Sequence, residues 1–282
     1  MSDYWYYWSP AQCDDKGPYV DLSNSTNGTI GHSRVAEING TYNAHVFTAE
    51  VVRLLDANVG NTPMYIYLAY QNVHLACSGS PKSAAVQTGK PHGLQAPCGT
   101  VDMYSTQQED VDKVQGAMVT ELDYGVGNVT DAFKAADQWE NTVLFLVSDN
   151  GAQLDHGYNH PLRGGKHTFF EGGVRVACFI SSPLIPEARR GTVWTGMAHS
   201  SDWYRTVFEG MAGGTLPTDS NGTATGPRAP DGFNLWCVCA SVQRVICVCV
   251  CVCVCMLFLS LPPHPSPLVG GVLSPASLTF CT

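Results

Sequence analysis

Two hard oxygen donors, Asp149 and Asn150, stand side by side just after the apolar run Thr142-Val-Leu-Phe-Leu-Val147. A carboxylate and an amide oxygen placed together suit Ca2+ or Mg2+. Lys166 follows downstream in Pro161-Leu-Arg-Gly-Gly-Lys166-His-Thr-Phe-Phe-Glu171-Gly-Gly-Val-Arg175. Glycines let backbone approach a ligand closely, and a lysine beside a metal can hold a compact, multiply charged oxyanion. A further candidate is His74, which closes Tyr67-Leu-Ala-Tyr-Gln-Asn-Val-His74. Each feature alone has a plainer reading. Asp-Asn-Gly is a turn signal, a lysine on a glycine-rich loop is usually just solvated, and a lone histidine is more often a satisfied core or loop residue. His156, Asn159 and His160 lie between Asn150 and Lys166 and are weaker candidates to face a substrate.

Such residues act together only if a scaffold brings strand ends to one place. The 282 residues, 44% hydrophobic and 14% charged, are enough for one large domain with a sizeable core. Phe47 to Leu55 reads as an amphipathic helix, and Pro63 to Tyr70 as a buried strand. From Asp110 to Asp137 the pattern is helical, with Val114, Met118 and Leu122 four apart and Val126, Val129 and Phe133 continuing the stripe. Thr142 to Val147 predicts a second buried strand and Gly172 to Ser181 a third. A further helix is expected near Ser201-Asp202, both good N-cap residues. Residues 1–45 and 76–105 read as loops. Strands alternating with helices predict an α/β fold with a largely parallel, mixed sheet flanked by helices. Ligands bind beyond the carboxyl ends of strands in such sheets, so His74, Asp149, Asn150 and Lys166 are expected to converge.

The formal net charge of −9 argues against a broad nucleic-acid footprint. Asn-x-Ser/Thr sequons at Asn24, Asn27, Asn39, Asn128 and Asn221 favour glycosylation and a secretory, lysosomal or extracellular setting. Met1 is not followed by a basic and then apolar leader, so a signal peptide is expected to be missing from this chain. Of twelve cysteines, seven fall between Cys239 and Cys281. Cys77 and Cys98 flank a Gly/Ser/Pro-rich segment and either close it as a disulfide or stay as thiols. Nothing in the sequence fixes the oligomeric state.

The tail reads differently. Cys247 to Cys255 alternates Cys and Val strictly, which TGT and GTG codons would spell as an uninterrupted TG repeat. Residues 237–282 are therefore expected to be translated non-coding sequence that does not pack onto residues 43–236. Two other readings compete. Val245 to Leu261 is 17 uncharged, mostly apolar residues, at the short limit for a membrane span, and alternating Cys suits a metal-binding tract.

Several segments carry a resemblance. Ser148 to Arg175 resembles the type I sulfatases, in which a strand-end Asp-Asn-Gly precedes a Lys and a Glu-Gly-Gly-Val-Arg sequence. Tyr67 to His74 is similar to the family's strand ending in His. His199-Ser-Ser-Asp-Trp203 and Asp231-Gly-Phe-Asn-Leu-Trp236 resemble the last two landmarks of the large domain in the arylsulfatase B branch. The landmarks keep the family's order over residues 43–236. The resemblance implies an alkaline phosphatase/sulfatase-like fold, present as the second half of its large domain within residues 1–236. It implies that Asp149 and Asn150 are calcium ligands. Lys166 and His74 would bind the sulfate of a sulfate-ester substrate, and either would help protonate the departing alcohol. Glu171, Gly172, Gly173 and Arg175 would be structural.

The departures are equally definite. The family's nucleophile is a formylglycine made from Cys in Cys-x-Pro-x-Arg, and no Cys here is followed two residues later by Pro. The formylglycine is therefore expected in a missing upstream part, and this chain alone is expected to be inactive. Asp14-Asp15 lacks a preceding apolar strand and is rejected as the family's early metal pair. Gly89-Lys90-Pro-His92 imitates the family's Gly-Lys-x-His but lies after the His74 strand rather than before it. Two other classes stay open: a phosphate-ester hydrolase of the alkaline phosphatase superfamily, and a non-catalytic glycoprotein of the same fold.

Overall fold

A computed structural model describes residues 23–24, 33–34, 41–58, 62–74, 94, 96–106, 110–154, 157–216, 231–236 and 254–260. Asp14, Asp15, Asn27, Asn39, Cys77, Lys90, His92, His156 and Asn221 lie outside them. Strands Ser23–Asn24 (β1) and Ser33–Arg34 (β2) form a short antiparallel ladder.

The predicted long elements are present. Helix α1 spans Asn43–Ala57 and buries Phe47, Val51 and Leu55, four residues apart, along one face. Strand β3 spans Tyr65–Tyr70. A short helix, α2, spans Cys98–Asp102. Helix α3 spans Asp110–Ala135, and its stripe of Val114, Met118, Val129 and Phe133 is buried. Strand β4, Thr142–Val147, coincides with the apolar run.

The third predicted strand is shorter than the sequence pattern implies. Glu171–Val174 is a single helical turn, α4, and only Cys178–Ser181 pairs as β5. Helix α5, Asp202–Arg205, continues into a π-helical turn, Thr206–Met211. Ser201 does not cap it through its side chain. Asp202 instead uses its buried carboxylate on other segments, accepting the His199 N–H at 2.7 Å and the Phe233 N–H at 2.8 Å. Thr206 Oγ1 accepts the Leu235 N–H at 2.9 Å, so the two Trp-containing segments are stitched together.

The main sheet has the order β3-β6-β4-β5, where β6 is Val254–Ser260. Two expectations need correction here. The ladders on both sides of β4 are antiparallel, with Leu144 opposite Ser181 and Val147 opposite Cys178 on one side, and Thr142 opposite Ser260 and Val147 opposite Cys255 on the other. Parallel pairing needs a crossover that returns the chain to the strand's starting end, usually a helix. Between β4 and β5 the chain folds into a loop and the single turn α4, so β5 runs back the other way. Val254–Ser260 also packs, where residues 237–282 are expected not to: β6 lies against the full length of β4, because a ladder is built from backbone groups and seven consecutive residues are enough to make one.

The chain forms two compact units, one centred on Met1–Leu54 with Tyr70–Val129, the other on Leu55–Ala69 with Thr130–Thr279. In the first, Leu94, Ala96, Val101, Val114, Ala117 and Met118 form a buried cluster. In the second, Phe145 and Val147 of β4 pack with Val176, Ala198, Trp203 and Leu235. The Phe145 and Trp203 rings lie 4.4 Å apart, bracing one face of β4. No helix among the described residues is long and apolar enough to cross a membrane.

Candidate functional site

β4 delivers Asp149 and Asn150 beyond its carboxyl end. The pairing continues past the strand, with Ser148 N–H donating to the Ala177 carbonyl at 3.0 Å and Gly151 N–H to the Gly173 carbonyl at 2.9 Å. Asp149 is only 9% exposed. Burial pushes its carboxyl up to about 6, against the pull of the Asn150 N–H it accepts at 2.5 Å and the nearby Lys166 charge. Asn150 commits its amide nitrogen to the Gly151 carbonyl at 3.1 Å, which leaves its amide oxygen as an acceptor.

The Lys166 loop is tied back to the same strand end. Lys166 N–H donates to the Ala152 carbonyl at 3.1 Å. Asn159 brackets Ala152, accepting its N–H and donating to its carbonyl, both at 2.8 Å. With its amide used in this way, Asn159 is a brace rather than the substrate-facing residue its position hints at. His160 is exposed. The run of glycines is required by close approach. A Cβ on Gly151 would stand 1.7 Å from the Gly172 carbonyl oxygen, and one on Gly173 would stand 2.3 Å from that of Thr168. Arg163 stacks over the Phe170 ring at 4.0 Å, and Arg175 pairs with Glu171 at 3.6 Å. Glu171, Gly172, Gly173 and Arg175 thus hold the loop closed.

The structure brings Asp149, Asn150 and Lys166 together within one unit. His74 belongs to the other, half-buried in the turn after β3, with its N–H on the Gln71 carbonyl at 2.8 Å. That turn is held by Asn72, which donates to Tyr42 Oη at 3.0 Å and to the Met118 carbonyl at 2.7 Å. Burial pushes the Tyr42 phenol up to about 12. Beside it, buried Glu121 is met by His45 Nε2 at 2.6 Å and by the Thr100 hydroxyl. None of Tyr42, Asn72 or Thr100 stands out in the sequence pattern. The available signal is Glu121 itself, a charged residue four positions after Ala117 on the buried stripe of α3.

Asp149 and Asn150 fit a hard cation, since both present oxygen, and the buried carboxyl has one positive side chain nearby. They are a pair of donors only. Among the described residues, no group of three or more His, Cys, Asp or Glu side chains gathers around a common point. Two oxygens are fewer than the about six to eight that Ca2+ takes.

The family model of sulfatases matches residues 2–213. Arylsulfatase J of Mus musculus is 31% identical over 232 residues, covering 82% of this chain and 33% of that protein. N-acetylgalactosamine-6-sulfatase of Homo sapiens is 34% identical over 125 residues, covering 43% of this chain and 22% of that protein. The solved structure of Ps i-CgsB aligns with a TM-score of 0.55 and 29% identity over 69% of this chain and 38% of that one. Its complex with k-i-k-neocarrahexaose aligns with a TM-score of 0.50. The chain therefore spans about a third of the length of such relatives.

Proposed function

The chain belongs to the sulfatase family, and from that premise we propose that it carries part of a site hydrolysing sulfate esters. Lys166 and His74 bind the sulfate group, and Asp149 and Asn150 hold a calcium ion. The observation that carries this reading is the burial of Asp149 at the end of β4 with the Lys166 charge beside it. A carboxylate and an ammonium set at one strand end suit a site that takes a cation and an oxyanion together.

A bound calcium would place positive charge against the sulfate oxygens. Lys166 would hold those oxygens from a loop whose backbone is anchored on Ala152. Lys166 or His74 would give a proton to the departing alcohol oxygen. We place the formylglycine nucleophile outside these 282 residues, since none of the chain's cysteines lies in a Cys-x-Pro sequence. Arylsulfatase J, N-acetylgalactosamine-6-sulfatase and the neocarrahexaose complex support an aryl or sugar sulfate as substrate. The sequons, with Asn128 exposed on α3, support the secretory pathway.

The test is calorimetric titration of the whole chain with inorganic sulfate and with CaCl2. Lys166→Ala is expected to weaken sulfate binding by about tenfold or more, and Asp149→Asn to weaken calcium binding similarly. Sulfate affinity unchanged by Lys166→Ala would sink the reading.

A further inference from the structure

The turn that carries Lys166 holds its neighbour in an unfavourable backbone conformation. Thr168 N–H donates to the Gly165 carbonyl at 3.0 Å, and Thr168 Oγ1 donates to the same oxygen at 2.7 Å. Gly165-Lys166-His167-Thr168 is therefore a closed turn with Lys166 second and His167 third. His167 has φ of 72°, and Lys166 is not among the residues at positive φ. This is the pattern of a type II turn, whose third position calls for Gly or Asn. A side chain with a Cβ is strained there. Only one other non-glycine residue among those described, Asp137, has positive φ.

Nothing in the described fold offsets that strain. The residue is exposed, and its imidazole has no hydrogen-bond partner among the described residues. The turn cannot relax easily either. Its Lys166 N–H is bound to Ala152, and Gly173 packs against the Thr168 carbonyl with no room for a methyl group. An imidazole is thus held, at a cost, next to the lysine assigned to sulfate. Two exposed aromatic rings belong to the same loop, Phe169 at 100% and Tyr158 at 82% exposure. An imidazole that can donate and accept matches hydroxyl groups, and open aromatic faces match the apolar face of a pyranose.

We propose that His167 contacts substrate, hydrogen-bonding hydroxyl groups of a sulfated sugar whose sulfate is held by Lys166. The inference rests on the sulfate-binding reading above and narrows its substrate class to sugar sulfates.

The test uses the whole chain and its His167→Gly and His167→Asn variants. Calorimetry measures binding of inorganic sulfate, 4-nitrophenyl sulfate and galactose 6-sulfate, and thermal unfolding is followed in parallel. His167→Gly is expected to raise the unfolding midpoint by roughly 2–4 °C as strain is relieved. It is expected to leave inorganic sulfate and 4-nitrophenyl sulfate within about twofold while weakening galactose 6-sulfate by about tenfold or more. His167→Asn, which tolerates the turn and keeps a donor and an acceptor, should fall between. A midpoint that falls in His167→Gly would make the imidazole a structural support and overturn the proposal. Galactose 6-sulfate binding unchanged by the substitution, or absent from the unaltered chain, would overturn it while leaving the sulfate site intact. Failure of the unaltered chain to bind inorganic sulfate would remove the sulfate-site reading and this inference with it.

Discussion

Asp202 and Phe233 meet across 31 residues of sequence, a carboxylate oxygen of the first accepting the backbone N–H of the second at 2.8 Å. The other carboxylate oxygen holds the His199 N–H at 2.7 Å, and the side chain is buried. Replacing Asp202 with Ala would leave both N–H groups without an acceptor. Each orphaned donor costs about 1–3 kcal/mol, so the variant is expected to lose about 2–6 kcal/mol, read as a lower urea midpoint with unchanged slope. Asp202→Asn retains one acceptor and should lose less. An unchanged midpoint in Asp202→Ala would show that water satisfies these groups.

That pairing also marks how far the sequence is legible. Long periodic segments can be read, because burial acts on every third or fourth residue of α3 and on the whole of β4. The nearness of Asp149, Asn150 and Lys166 can be read because they lie on successive loops at one strand end. Asp202 reads as a helix cap in sequence, since nothing local shows that a distant N–H competes for its carboxylate. Thr100 and Asn72 are hidden for the same reason, being ordinary residues until tertiary contact gives them partners. The direction of the strands beside β4 is not legible, because periodicity carries no information on how a strand's neighbour runs. β6 is not legible either, because codon-like repetition says nothing about whether a backbone can pair.

The Asp149 carboxyl gives stability a pH dependence of known sign. In the folded chain it titrates at about 6, raised by burial from 3.8. Between those values the folded state keeps a proton that the unfolded state has released, so stability falls as pH rises from about 4 to about 6. The full loss is about 3 kcal/mol. Asp149→Asn cannot ionise and should escape it. Unfolding midpoints of the two chains should therefore diverge in favour of the variant between about pH 4 and about pH 7. Parallel curves would mean that the carboxyl is not desolvated. Calcium, which requires the ionised form, should bind more tightly with pH up to about 6 and then level off.

Glycines at two positions are expected to respond in opposite ways to the same change. Gly151→Ala puts a methyl carbon 1.7 Å from the Gly172 carbonyl oxygen, so β4's end and α4 must separate. The loss is expected to be about 2–4 kcal/mol, with weakened binding of both calcium and sulfate. Gly127 is exposed on α3, and a methyl carbon there would meet nothing within 4 Å beyond its chain neighbours and its own helix backbone. Gly127→Ala should stabilise by about 0.5–1 kcal/mol and leave binding alone. Equal effects at the two sites would show that the packing around Gly151 is looser than its contacts require.

Leu257 of β6 lies opposite Phe145 in the centre of the β4 ladder. β4 is buried almost throughout, with Val143, Leu144, Phe145 and Val147 all in the core. Its other edge is occupied by β5. If Val254–Ser260 were absent, one side of β4 would present a row of unpaired N–H and C=O groups on an apolar strand. Such an edge recruits a strand from another molecule. A chain ending at Trp236 should therefore self-associate at micromolar concentration, which sedimentation velocity would show against the full chain. Leu257→Pro offers a second route, because proline removes an N–H in mid-ladder without shortening the chain. It should lower the unfolding midpoint. A truncated chain that stays monomeric, with Leu257→Pro as stable as the unaltered protein, would show that β6 contributes nothing to the sheet.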